Sequence, residues 1–266
     1  MSVAKTALKS FAATLDLLRP PPSGVTLLIY HRVGAALGGE MTLDPETFRA
    51  QLEHLHEHHR VIPLAQAAAE LSAGRAVEAA VVLTFDDGSA DWIDTVLPLL
   101  AEHDTPATWY VTSGFVEAGG LPDGTPAASW AGLRDTASTG LVTIGAHTHR
   151  HMLLDRLAVA EIGDELDRSN DLIAAGVGTA PRHFAYPKAV PPSADADAAV
   201  RARYDTAVLA GTRPNRAGAD LHQLARSPIQ ASDGMRWFVA KARGGLGAED
   251  RMRTFANRLR YRGRVD

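Results

Sequence analysis

Apolar runs of strand length alternate along this chain with stretches whose apolar residues recur at helical spacing. VTLLIYH, Val25 to His31, is the first strand. LDPETFRAQLEHLHEHH follows, with Asp44 as helix N-cap, Pro45 at the first helical position, and Phe48, Leu52 and Leu55 on one stripe. VVLTF reads as a buried strand and DWIDTVLPLLAEH as a helix behind it. ATWYVTS is another strand, SWAGLRDTAST a short helix stopped by Gly140, and LVTIGAH a strand ending in a histidine. LAVAEIGDELDRSNDLIAAG is a long amphipathic helix closed by Gly176, and RHFAYP, YDTAVLA and QLARSPI read as further strands. This alternation predicts an α/β fold with a largely parallel sheet or barrel.

Polar residues recur at the C-terminal ends of these strands: His31, Asp86 and Asp87, His147, Tyr186. In a parallel sheet or barrel that end gathers the loops and binds ligands, so the chemistry is expected there.

With 266 residues the chain is long enough for one large domain whose core needs no staple. It has no cysteine, so a metal site would have to use His, Asp or Glu. A formal net charge of −4 gives no whole-chain attraction to nucleic acid. The organisation expected is an amphipathic helix and proline-rich link over 1–22, the main domain over 23–245, and a basic helix over 246–266. The last segment, RMRTFANRLRYRGR, reads as a helix with a solvated basic face; the alternative is contact with an anionic partner or lipid surface. No apolar run approaches the roughly 20 residues of a membrane span, and Asp16 interrupts the early apolar stretch with no clean cleavage site after it. A cytoplasmic protein is therefore expected, one that could work at the inner membrane face.

In VVLTFDDGSADW a strand delivers adjacent carboxylates, Asp86 and Asp87, to the point where a glycine breaks it. In GAHTHRHMLL, His147 and His151 are four apart, so a helical turn after the strand would put both imidazoles on one face, with His149 pointing away. Together they offer two imidazoles and one carboxylate with a position left open, the pattern of a catalytic divalent-metal site. A cation also lets both aspartates stay ionised. Asp87 is then the ligand and Asp86 the base that takes a proton from the attacking water.

LTFDDG, HTHRH and FAYP, in this order and at these intervals, resemble the polysaccharide deacetylases related to nodulation protein B, carbohydrate esterase family 4. The likeness extends from LLIYHRVG to QLARSPI, and LLIYHRVG is similar to the start of the branch that acts on poly-N-acetylglucosamine. The resemblance implies a single-domain, distorted and incomplete (β/α) barrel that removes N-acetyl groups from amino-sugar-containing glycans or glycan precursors. It implies one divalent metal ion, commonly zinc, on Asp87, His147 and His151, with Asp86 as general base. For the general acid it offers His31 on the first strand, preferred here, and His222 in DLHQLARS as the alternative. Tyr186 and Lys188, in AYPKA, fall where the family contacts substrate and stabilises the oxyanion. Ala185 stands where an arginine often steadies the base, and Arg226 is the cation that could replace it. Lys188, in place of the usual aromatic, could favour an anionic substrate.

Two rival readings stay open at this level: a hydrolase of another, small or cyclic, amide, and a catalytically silent sugar-binding homologue. The expected partner is a carbohydrate. Without a recognisable export signal, a lipid-linked or nucleotide-linked sugar at the membrane face is one form it could take.

Overall fold

The structure, a computed structural model, describes residues 23–34 and 38–247. The helix and link expected over 1–22 lie outside the described residues, as does the basic helix expected over 246–266 beyond its first two positions.

The chain enters β1 (Val25–Tyr30) and then forms β2 (Arg32–Val33) and β3 (Thr42–Leu43), a small parallel pair beside the main sheet. β4 (Ala80–Asp87), β5 (Ala107–Val111), β6 (Val142–Ala146), β7 (His183–Ala185), β8 (Thr206–Ala210) and β9 (Leu224–Pro228) complete a parallel barrel in that order around β1. The barrel expected to be incomplete has seven strands and is closed: β9 pairs back onto β1, with Leu27 beside Arg226 and Ile29 beside Pro228. Seven is one short of the common eight-stranded α/β barrel.

Alternation along the strands divides the core into two layers, because successive side chains on a strand point to opposite faces. Val81, Leu83 and Phe85 of β4 face outward and pack with Leu28, Trp109, Ile144 and the surrounding helices. Val25, Leu27, Val82, Tyr110, Ala185, Val208 and Leu224 face inward and fill the lumen. Thr84 and Asp86 continue the inward row of β4, so one of the two aspartates is carried into the barrel by strand parity alone.

The helices cover the outside as their apolar stripes require. Pro45–His58 begins as expected, Asp44 accepting a hydrogen bond from the Thr47 amide at 3.0 Å and burying Phe48, Leu52 and Leu55. Such a cap contributes about 1 kcal/mol. The helix expected over DWIDTVLPLLAEH opens as a wider π turn, Trp92–Val96, before the regular helix Leu97–Glu102. Pro98 has no amide hydrogen to give to the preceding turn, which accounts for the irregular winding. The long helix runs Val159–Val177, past the glycine expected to end it, and Gly178 at φ 96° is the actual cap. Gly176 is instead a contact residue: a Cβ there would lie 2.4 Å from the Trp130 ring.

Candidate active site

The candidate side chains, His222 excepted, sit just beyond, or within, the C-terminal half of a barrel strand. His31 follows β1, Asp86 and Asp87 end β4, and His147 follows β6. Asp87 leaves the strand at φ 91°, in the left-handed region that costs a non-glycine residue of order 1 kcal/mol or more, so the two carboxylates part direction instead of alternating across the sheet. The histidine loop uses the same device. No helical turn joins His147 to His151; Thr148 at φ 62° and His151 at φ 56° fold the loop back instead. The imidazoles converge all the same, ring centroids 4.9 Å apart. His149 turns away as expected, Nδ1 lying 3.0 Å from the Ser113 hydroxyl.

One ligand atom from each of Asp87, His147 and His151 lies within 4.8 Å of the others. Asp87 Oδ1 is 3.3 Å from His151 Nε2 and 3.6 Å from His147 Nε2. His147 Nδ1 donates to the Ala185 carbonyl at 2.7 Å, which fixes the tautomer and leaves Nε2 bare toward Asp87. Burial pushes His147 down to about 4, against the pull of Asp86 and Asp87, so the ring is neutral near pH 7. Burial would raise Asp87, but the His151 hydrogen bond and the nearby imidazoles hold it well below the usual carboxylate range. A neutral His147, an ionised Asp87, the second imidazole of His151 beside them and an open side toward the cleft make a donor set that fits a three-ligand divalent-metal site.

Asp86 has a different partner. Arg226, fully buried on β9, donates Nη1 to Asp86 Oδ1 at 2.6 Å and Nη2 to Oδ2 at 2.8 Å, a bidentate pair inside the lumen. Nη1 also reaches the Thr84 hydroxyl at 2.9 Å, and the guanidinium lies 5.2 Å from the centre of the Tyr110 ring. Burial alone would raise the Asp86 pKa; the Arg226 charge and hydrogen bonds, with His147 and His31, bring it below its ordinary value. The place left by Ala185 is thus filled from two strands away.

His31, Asp86, Asp87, His147, His151 and Lys188 line one cleft of about 430 Å³. His31 Nδ1 is buried and has no hydrogen-bond partner among the described residues. Burial lowers its proton affinity while Asp87 and Asp86 act to raise it. Its backbone is held by Trp92, whose indole N–H donates to the His31 carbonyl at 2.6 Å, and by Asp91, which accepts from the Val33 amide. Sequence reading passed over Asp91 and Trp92, along with Thr84 and Tyr110. The inward parity shared by Thr84 and Asp86 was the available signal for Thr84.

Two expected residues lie elsewhere. His222 precedes β9, at the N-terminal end of the barrel, where Nε2 lies 2.7 Å from the Tyr204 carbonyl and Nδ1 3.4 Å from Arg201. Strand direction separates it from the cleft by the length of the barrel, which removes it as an acid for this site. Tyr186 keeps the outward parity of Phe184, packs edge-on against that ring at 5.0 Å, and gives its amide to Val208. Neither its side chain nor its N–H faces the cleft.

The described helices include none long and apolar enough to cross a membrane. Residues 73–207 match the family model described as polysaccharide deacetylase. This chain belongs to the polysaccharide deacetylase family. It is 28% identical over 141 residues to the poly-beta-1,6-N-acetyl-D-glucosamine N-deacetylase of Escherichia coli (strain K12), a match that takes in 48% of this chain and 21% of that protein. The chain therefore spans about a fifth of the length of that relative. Among solved structures, IcaB from Ammonifex degensii superposes with a TM-score of 0.72 at 22% identity, covering 84% of this chain and 98% of its own. The Streptococcus pyogenes deacetylase PplD gives 0.73 at 21% identity, with 83% and 99% covered. At these identities the two structures establish the shared fold.

Proposed function

We propose that the chain hydrolyses the N-acetyl group of an amino sugar within a glycan or glycan precursor, a C–N bond outside a peptide. The observation that carries this reading is the placement of the Asp87, His147 and His151 donor set beside an arginine-clamped Asp86 in a single cleft. Family membership and the N-deacetylase named above support the amino-sugar substrate.

Asp87, His147 and His151 would hold one divalent ion, and two imidazoles with a carboxylate suit zinc. Such an ion supplies Lewis acidity toward the acetyl carbonyl and the attacking water. Asp86, kept ionised by Arg226, accepts the proton of the attacking water. The clamp on both of its oxygens orients the carboxylate, so little reorganisation accompanies the transfer. His31, at the end of the strand beside β4 and lining the same cleft, donates a proton to the departing amine. The backbone N–H of Lys188, a residue of the cleft wall held at φ 57°, would stabilise the developing oxyanion.

The test is Asp86→Asn. Acetate release from short N-acetylglucosamine oligomers should fall by about 10²–10⁴-fold while bound metal is unchanged. Undiminished release with a folded, metal-loaded variant would remove Asp86 from the mechanism. A wild-type protein that binds metal and releases acetate from no amino sugar would direct the search to other amides.

A further inference from the structure

The charges lining the cleft can be accounted for one by one. Asp86 is neutralised by Arg226. Arg32, at the rim, is paired with Asp123, which also lines the cleft, and reaches the Thr125 hydroxyl at 3.0 Å. Asp87 lies between His147 and His151. Lys188 remains: its side chain is exposed, and its ammonium has no hydrogen bond or ion pair among the described residues.

Its backbone marks the same position as part of a functional site. Lys188 sits at φ 57°, ψ 4°, directly after Pro187, inside a short 3-10 turn whose other members are helical. A lysine gains nothing from that region, and glycine would occupy it without strain. A non-glycine residue held there, on a cleft wall, is the kind of outlier that clusters at functional sites. The result is an unpartnered cation on a flexible four-carbon stem, facing the space in which the acetylated sugar would lie.

We propose that Lys188 reads an anionic substituent on the substrate, placed next to the N-acetyl sugar, and so makes this cleft selective for charged over neutral glycans. The proposal rests on the deacetylase reading for the identity of the neighbouring sugar. The shared chemistry is a cluster of anionic oxygens, which a uronic acid carboxylate or a sugar-linked phosphodiester would equally provide. In a partly enclosed cleft, a charge-assisted hydrogen bond of this kind should amount to roughly tenfold or more in affinity. It should weaken with salt, as an accessible ion pair does.

The experiment compares three probes: neutral N-acetylglucosamine oligomers, oligomers alternating with glucuronic acid, and N-acetylglucosamine carrying an anomeric phosphodiester. Both kcat/KM for acetate release and calorimetric affinity are measured on wild type, Lys188→Gln and Lys188→Arg. Wild type should prefer at least one anionic probe by roughly tenfold, less at high salt. Lys188→Gln should bring the ratio of anionic to neutral close to one, and Lys188→Arg should restore it. Preference for the carboxylate or for the phosphodiester identifies the source of the charge. Equal affinity for neutral and anionic probes in wild type, or a preference that survives Lys188→Gln, would overturn the proposal. If acetate is released from none of the probes, the deacetylase reading fails, and the affinities still decide whether Lys188 selects an anion.

Discussion

Arg226 and Asp86 form a bidentate ion pair in the lumen of the barrel, reaching past β1, which lies between β9 and β4. Both are buried, so neither charge has water to fall back on. Removing one partner strands the other in a low-dielectric interior, and this usually costs about 3–5 kcal/mol. Arg226→Met should therefore unfold at markedly lower denaturant than wild type and lose acetate release with it. A double-mutant cycle with Asp86→Asn should show strong coupling, since each single change leaves one unpaired group that the double change does not. Additive effects in that cycle would show that the clamp contributes nothing specific.

Removal of the metal gives a separate expectation. Chelation should abolish acetate release and lower the thermal midpoint, and adding back zinc should restore both. At an ion concentration 100 times its Kd, the stabilisation is about 2.7 kcal/mol. A His147→Ala, His151→Ala double variant should show neither the thermal shift nor the recovery. If zinc stabilises that variant as it does wild type, the ion binds somewhere else.

Gly145 is required by its neighbours. A Cβ at this position would lie 2.6 Å from Tyr110 Cδ1 and 2.9 Å from the His183 carbonyl oxygen. Gly145→Ala should destabilise by about 1–3 kcal/mol through overpacking. Because the displaced ring is the one facing Arg226, catalytic rate should drop along with stability. A thermal midpoint within 1 °C or so of wild type would show that the barrel relaxes around the extra methyl group.

His183 carries a pH dependence away from the cleft. It is buried, its Nδ1 is 2.9 Å from the Thr206 hydroxyl, and burial pushes it down to about 4, with Asp205 pulling upward and Arg182 downward. In the unfolded chain the same ring titrates near 6.5. Above that value it is neutral in both states and costs nothing. Between about 6.5 and 4 the unfolded chain binds a proton that the folded one refuses, so stability falls on acidification by up to about 1.4 kcal/mol per pH unit. Chemical denaturation at pH 7 and pH 5 should show a smaller loss for His183→Gln than for wild type. An equal loss would mean that the ring is protonated in the fold.

Much of this was legible in the sequence because it depends on local pattern. Asp44 and Pro45 announce a helix start through their own chemistry, and the VVLTFDD run fixes by parity which residues enter the lumen. Arg226 could be named as the cation for Asp86 because the family resemblance puts an arginine where this chain has Ala185, leaving Arg226 on a late strand to replace it. The four-residue histidine spacing suits a helical turn, but spacing alone cannot register two non-glycine residues at positive φ, which is how the loop gathers the rings. Gly176 was taken for a stop signal, whereas its smallness serves the Trp130 ring, a partner 46 positions away that no local pattern reveals. His222 enters as an alternative acid only through the family resemblance, and the direction of β9 places it at the opposite end of the barrel.

The closure of β9 onto β1 has a consequence for how the chain comes into use. During synthesis β4 emerges long before β9, and until residue 226 has joined it Asp86 has no counter-charge and no settled orientation. The barrel can be completed only by its last strand, and that strand brings the arginine. A chain stalled or cut before β9 would thus carry every candidate metal ligand and still lack the clamped Asp86 carboxylate, so that finishing the fold and completing the candidate site become the same event.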